Sequence, residues 1–97
     1  MEAQDRFAEA IDWFLDHLRA QRGASAHTIA AYRNDLLRAA AYFSGVGLID
    51  WDALTADHFL RYQSSLAGAR PTTLMRRTSS LRALLKFLKK NGQGPEA

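Results

Sequence analysis

Cysteine is absent from the 97 residues, which excludes disulfide staples and thiolate metal sites. No apolar run approaches the roughly 20 residues needed to cross a bilayer. The first residues, with Glu2, Asp5, Glu9 and Asp12, lack the basic-then-apolar order of a secretory signal, so a cytosolic protein is expected. His17, His27 and His58 do not form a metal-ligand spacing. There is no Gly-rich phosphate loop, no paired catalytic carboxylates and no Ser/His/Asp arrangement with distinctive local context. A cofactor, a metal and a catalytic centre are therefore not expected. A further gap is local: residues 70–90 contain no Asp or Glu.

That same stretch holds seven of the thirteen Lys and Arg residues, a charge of +7. Residues 1–69 hold the other six against nine acids, a charge of −3. Such segregation suits a surface for a polyanion, of which nucleic acid is the commonest. A merely solvated Lys/Arg-rich helix face produces the same run, so other features must decide.

Ninety-seven residues suffice for one small core. Gly and Pro cut the chain into four segments with apolar residues at helical spacing, and the expected fold is all-α, a compact four-helix domain over residues 1–91. The first helix spans about Asp5 to Gln21, with Phe7, Ile11, Phe14, Leu15 and Leu18 on one stripe; Trp13 lies off it, partly exposed over a neighbouring loop. Ser25 caps a second helix, Ala26 to Ser44, that buries Ile29, Tyr32, Leu36, Ala40 and Phe43 and turns Thr28, Ala31, Asn34, Asp35 and Arg38 to a small, polar face. Gly45 and Gly47 stop it, and Leu48, Ile49 and Trp51 form a hydrophobic connector. Thr55 caps a third helix running to about Ala67, with Leu54 and Phe59 at staple spacing and Phe59, Tyr62 and Leu66 as its buried edge. Pro71 suits the first turn of a fourth, which Gly92 closes after Asn91. Its core side comprises Leu74, Thr78, Leu81, Leu84, Leu85 and Leu88. Residues 92–97, beginning Gly-Gln-Gly-Pro, read as the start of a linker to a second domain.

Two helices open with small hydroxyl residues, Ser25 and Thr28 on one, Thr72 and Thr73 on the other. A helix start offers unpaired N–H groups and a positive dipole end, so both are candidate phosphate contacts, although Ser25 and Thr28 equally serve as local caps. Arg76, one turn into the fourth helix and flanked by Ser79 and Ser80, is placed to reach base edges in a major groove. Arg38 lies on the matching face of the second helix. Arg77 falls beside the apolar stripe, where it either bends out to a phosphate or packs its stem on the core. Arg82, Lys86 and Lys90 extend the basic side.

The stretch Ser25-Ala-His-Thr28-Ile-Ala-Ala-Tyr32-Arg-Asn-Asp35-Leu36, followed by Arg76-Arg77-Thr-Ser-Ser-Leu81-Arg82-Ala-Leu-Leu-Lys86-Phe87-Leu88, resembles the N-terminal core-binding domain of tyrosine recombinases of the phage-integrase and Xer type. The resemblance covers nearly the whole chain and includes the opening Phe14-Leu15-Asp-His-Leu18 helix. It implies a SAM-like helical domain forming half of a C-shaped clamp on duplex DNA, with a catalytic domain as the other half and further recombinase subunits joining in a synaptic tetramer. It implies a protein associated with the nucleoid when bound, acting in chromosome dimer resolution or in integration of a mobile element. Thr28, Ala31 and Asn34, with Thr72, Thr73, Arg76 and Ser80, become the DNA-contact candidates, to which the hydroxyl-bearing helix start adds Ser25 and the charge pattern adds Arg38, Arg70, Arg77, Arg82 and Lys86. Arg70 stands where such helices often carry a small polar cap, adding a cation that reaches phosphate. The family's nucleophilic tyrosine belongs to the catalytic domain, so Tyr32, Tyr42 and Tyr62 are not expected to attack phosphodiesters. Two other readings remain: a helical interaction module docking an acidic partner, and a stand-alone regulator that occupies recombination sites without cutting.

Overall fold

Caps and glycines divide the chain much as their chemistry requires. The computed structural model describes residues 2–95, with side chains from Arg6 onward. Four helices form: α1 (Glu2–Arg22), α2 (Ala26–Gly45), α3 (Ala56–Ser65) and α4 (Pro71–Lys90), with one 3-10 turn at Trp51–Ala53. No strand occurs among the described residues.

Ser25 Oγ accepts the Thr28 N–H at 3.1 Å and so caps α2. Thr55 and His58 form a reciprocal box at the start of α3, in which His58 N–H donates to Thr55 Oγ1 and Thr55 N–H donates to His58 Nδ1. This gives His58 a local structural role. Gly47, at φ +95°, lets the Leu48 N–H return to the Phe43 carbonyl, so the stop belongs to Gly47 while Gly45 remains helical. Gly92, at φ +78°, does the same for α4, with Gln93 N–H donating to Leu88 O at 2.8 Å.

α3 is shorter than its sequence suggests, because Leu66 ends it and residues 66–69 turn toward Pro71. The connector also departs from expectation. Trp51 is buried and its indole N–H donates to the Phe7 carbonyl at 3.2 Å, whereas Ile49 is exposed. The 3-10 turn aims the indole inward, and Phe7 and Phe43 receive it edge-on.

α1 lies mainly on α2, α4 packs against both, and α3 rests on α2. Phe7, Ile11, Leu15, Leu36, Phe43, Leu81, Leu84 and Leu88 form the central core. The buried side of α4 is broader than the expected stripe, for it includes Ser80 and Phe87, because two helices cover it instead of one. Trp13 is 40 % exposed and packs edge-on against the Phe87 ring of α4, with ring centres 4.8 Å apart, beside a pocket that the connector residues Asp50 to Asp52 also line. The Cα radius of gyration, 12.8 Å, is near the value of about 12.5 Å for a compact chain of this length. No described helix is long and apolar enough to cross a membrane.

Candidate nucleic-acid interface

Asp35 forms the joint between α2 and α4. The expected polar face of α2 would have shown it to solvent, yet it is only 2 % exposed. The correction follows from its partners: Arg76 Nη1 donates to Oδ1 and Ser80 Oγ donates to Oδ2 at 3.0 Å. Both carboxylate oxygens are thereby engaged, which is what allows a charge to sit in the interior. Tyr32, one turn earlier on α2, shares a cleft with Ala83 and Lys86, further along α4. The two helices therefore run in opposite senses along their contact. The hydroxyl-bearing start of α2 lies toward the Lys86 end and the start of α4 toward the Arg38 end.

Between them lies an open cleft of about 260 Å³ bounded by His27, Thr28, Ala31, Tyr32, Asp35, Arg76, Ser79 and Ser80. Thr28, Ala31 and Arg76 thus come together as the sequence suggested. Ser80 is buried rather than displayed, and its hydroxyl is turned inward to Asp35. Asn34 is exposed and lines a separate groove of α2 with Arg19, Ala30, Arg33 and Leu37. Ser25 and Thr28 are exposed and bonded to each other, Ser25 Oγ donating to Thr28 Oγ1 at 3.1 Å.

At the start of α4, Arg70 occupies the cap position in extended conformation without a side-chain cap bond, leaving the first-turn N–H groups uncapped beside exposed Thr72 and half-buried Thr73. Arg77 packs its stem inward: it is half-buried and its Nε has no partner among the described residues. Nearby, burial pushes the Tyr62 phenol above its ordinary value; Arg77 and Arg38 oppose that shift and Asp35 adds to it. The buried, protonated Tyr62 is thus unsuited to nucleophilic work. Arg82 stays exposed while its guanidinium lies over the Phe59 ring, 5.6 Å from its centre.

The cations of the other helices are largely spoken for. Arg6 pairs with Asp50, Arg19 with Asp16, Arg33 with Asp12 and Arg61 with Asp57. Of the seven cations from Arg70 to Lys90, Arg76 is the one with a carboxylate partner; the other six have none among the described residues. The outermost line of α4 carries Thr72, Met75, Ser79, Arg82 and Lys86, all exposed. Met75, 69 % exposed, was not singled out by sequence reasoning, though its helical spacing from Thr72 and Ser79 places it there.

The profile of the family described as phage integrase, N-terminal SAM-like domain, matches residues 11–92. The chain is 38 % identical over 85 residues to tyrosine recombinase XerC of Pseudomonas aeruginosa strain LESB58, a match that covers 86 % of this chain and 28 % of that protein. It is equally 38 % identical over 85 residues to tyrosine recombinase XerC of Azotobacter vinelandii, with 86 % and 28 % covered. The XerC of Roseiflexus castenholzii is 35 % identical over 86 residues, 87 % of this chain and 27 % of that protein. The chain thus matches little more than a quarter of the length of these relatives. No solved structure matches it.

Proposed function

Since the chain belongs to the family of phage integrase N-terminal SAM-like domains, we propose that it is a duplex-DNA-binding module of a site-specific tyrosine recombinase. In this reading α2 and α4 face the major groove, and the chemistry of strand exchange is supplied by a catalytic domain outside these residues. Partner subunits assemble with it on a recombination site in the cytoplasm.

The observation that carries the reading is the imbalance of ion pairing. Four of the six cations of α1, α2 and α3 pair with acids, while six of the seven between Arg70 and Lys90 have no carboxylate partner among the described residues. Unneutralised cations along one helix retain their full attraction for phosphate. The exposed hydroxyls of Thr28 and Thr72 add neutral donors, and the uncapped start of α4 adds backbone N–H groups. The second helix contributes small residues, Ala31 above all, so a duplex can approach its backbone closely.

Fluorescence anisotropy with a short mixed-sequence duplex tests this. Four to six phosphate contacts give a log–log salt slope of about −3.6 to −5.4. Absence of duplex binding, or an affinity indifferent to salt, overturns the reading.

A further inference from the structure

We propose that Asp35 is a positioning residue that converts Arg76 from a phosphate-neutralising cation into an oriented reader of base edges. The inference rests on the duplex-binding reading above and concerns how that site tells one sequence from another.

The geometry separates Arg76 from the other cations of α4. Its Nη1 donates to Asp35 Oδ1, and the other oxygen of the same carboxylate is held by Ser80. The Asp35 side chain is 1 % exposed and the Arg76 side chain 48 % exposed, so the pair spans the boundary between core and cleft. Arg76 Nε and Nη2 have no partner among the described residues, and the cleft they border also presents Thr28, Ala31 and Ser79. A guanidinium is planar, so fixing one nitrogen on a buried carboxylate constrains the direction of the remaining donors. Lys86 and Lys90 have no carboxylate partner among the described residues.

Two consequences follow from electrostatics. The Arg76–Asp35 pair carries no net charge, so bringing it to a duplex displaces few counterions. Its contribution is directional hydrogen bonding, whose energy depends on which base edge faces it. The site then divides its work: unpaired cations supply salt-sensitive grip, and the paired arginine supplies selectivity.

The test compares four forms of the full chain, after circular dichroism has established helical content: wild type, Asp35→Asn, the double variant Asp35→Asn with Arg76→Gln, and Arg76→Lys. Salt slopes are measured on a mixed-sequence duplex, and base preference by sequencing the bound fraction of a randomised duplex pool. Asp35→Asn releases the Arg76 charge and is expected to steepen the slope by about 0.9, an extra loss of about 3.5-fold in affinity between about 50 and 200 mM salt. The double variant replaces one neutral pair by another and is expected to keep the wild-type slope while losing selectivity. Arg76→Lys keeps the charge and loses the fork, so base preference at one position falls at least about fivefold with the slope unchanged. If the double variant lowers the slope by the full unit expected of a free phosphate contact, or if Arg76→Lys keeps the base preference, the proposal is overturned. Should Asp35→Asn not fold, the other two variants decide the matter. A wild type that does not bind duplex overturns the underlying reading and this proposal with it; duplex binding with the wrong slopes overturns this proposal alone.

Discussion

At the scale of single residues, Tyr62 carries a polar atom that folding leaves unsatisfied. It is 3 % exposed, and its hydroxyl has no hydrogen-bond partner among the described residues. A buried hydroxyl in that state costs stability, so Tyr62→Phe is expected to stabilise the domain by about 1 kcal/mol in chemical denaturation. Its raised pKa adds a dependence on pH. Below about pH 10 the phenol is protonated in both folded and unfolded chains, and its contribution is fully present. As pH climbs further the unfolded chain ionises first, so stability falls as pH rises toward and through the folded value. The loss between about pH 9 and about pH 11 should be smaller in Tyr62→Phe than in wild type. That Tyr62 is buried was legible from its place among Phe59 and Leu66. That its hydroxyl lacks a partner was not, because it depends on three helices meeting.

Among the elements, the starts of the helices were read more reliably than their buried sides. Ser25, Thr55 and Pro71 each open a helix through chemistry confined to a few consecutive residues. Thr55→Ala removes the oxygen that receives the His58 N–H and is expected to cost about 1 kcal/mol, measured as a lowered denaturation midpoint. The interior of α4 was harder. Periodicity marks Leu81, Leu84 and Leu88, but it cannot say that α1 and α2 together enclose a wider arc taking in Phe87 and Ser80. Asp35 shows the same limit, since a carboxylate on a polar stripe reads as solvated until Arg76 and Ser80, some forty residues away, are brought to it. Within the candidate site, Thr28 and Ala31 share a face of α2 in sequence and a cleft with Arg76 in space, while Asn34 lines a separate groove of α2.

For the molecule as a whole, the dominant feature is the uneven distribution of charge. Acids pair with four of the six arginines of the first three helices, so the overall formal charge of +3 understates what α4 presents. Lys86→Glu with Lys90→Glu should reveal this. Both residues are exposed, without a carboxylate partner among the described residues, so folding stability should stay within about 0.5 kcal/mol. The salt slope for duplex binding should become shallower by about 1.8 if both lysines meet phosphate. The charge run was fully legible beforehand; what required three dimensions was that Arg6 and Arg33 find their acids, Asp50 and Asp12, on other segments of the chain.

The Asp35 joint also bears on how a new target preference arises. Exchanging Arg76 for an uncharged residue strands a carboxylate in the interior, so variation at that position is coupled to folding and tends to demand a companion change at Asp35. Thr28, Ala31 and Ser79 border the same cleft without supporting the interior, and are the positions at which laboratory evolution toward altered sites can begin without a penalty in yield.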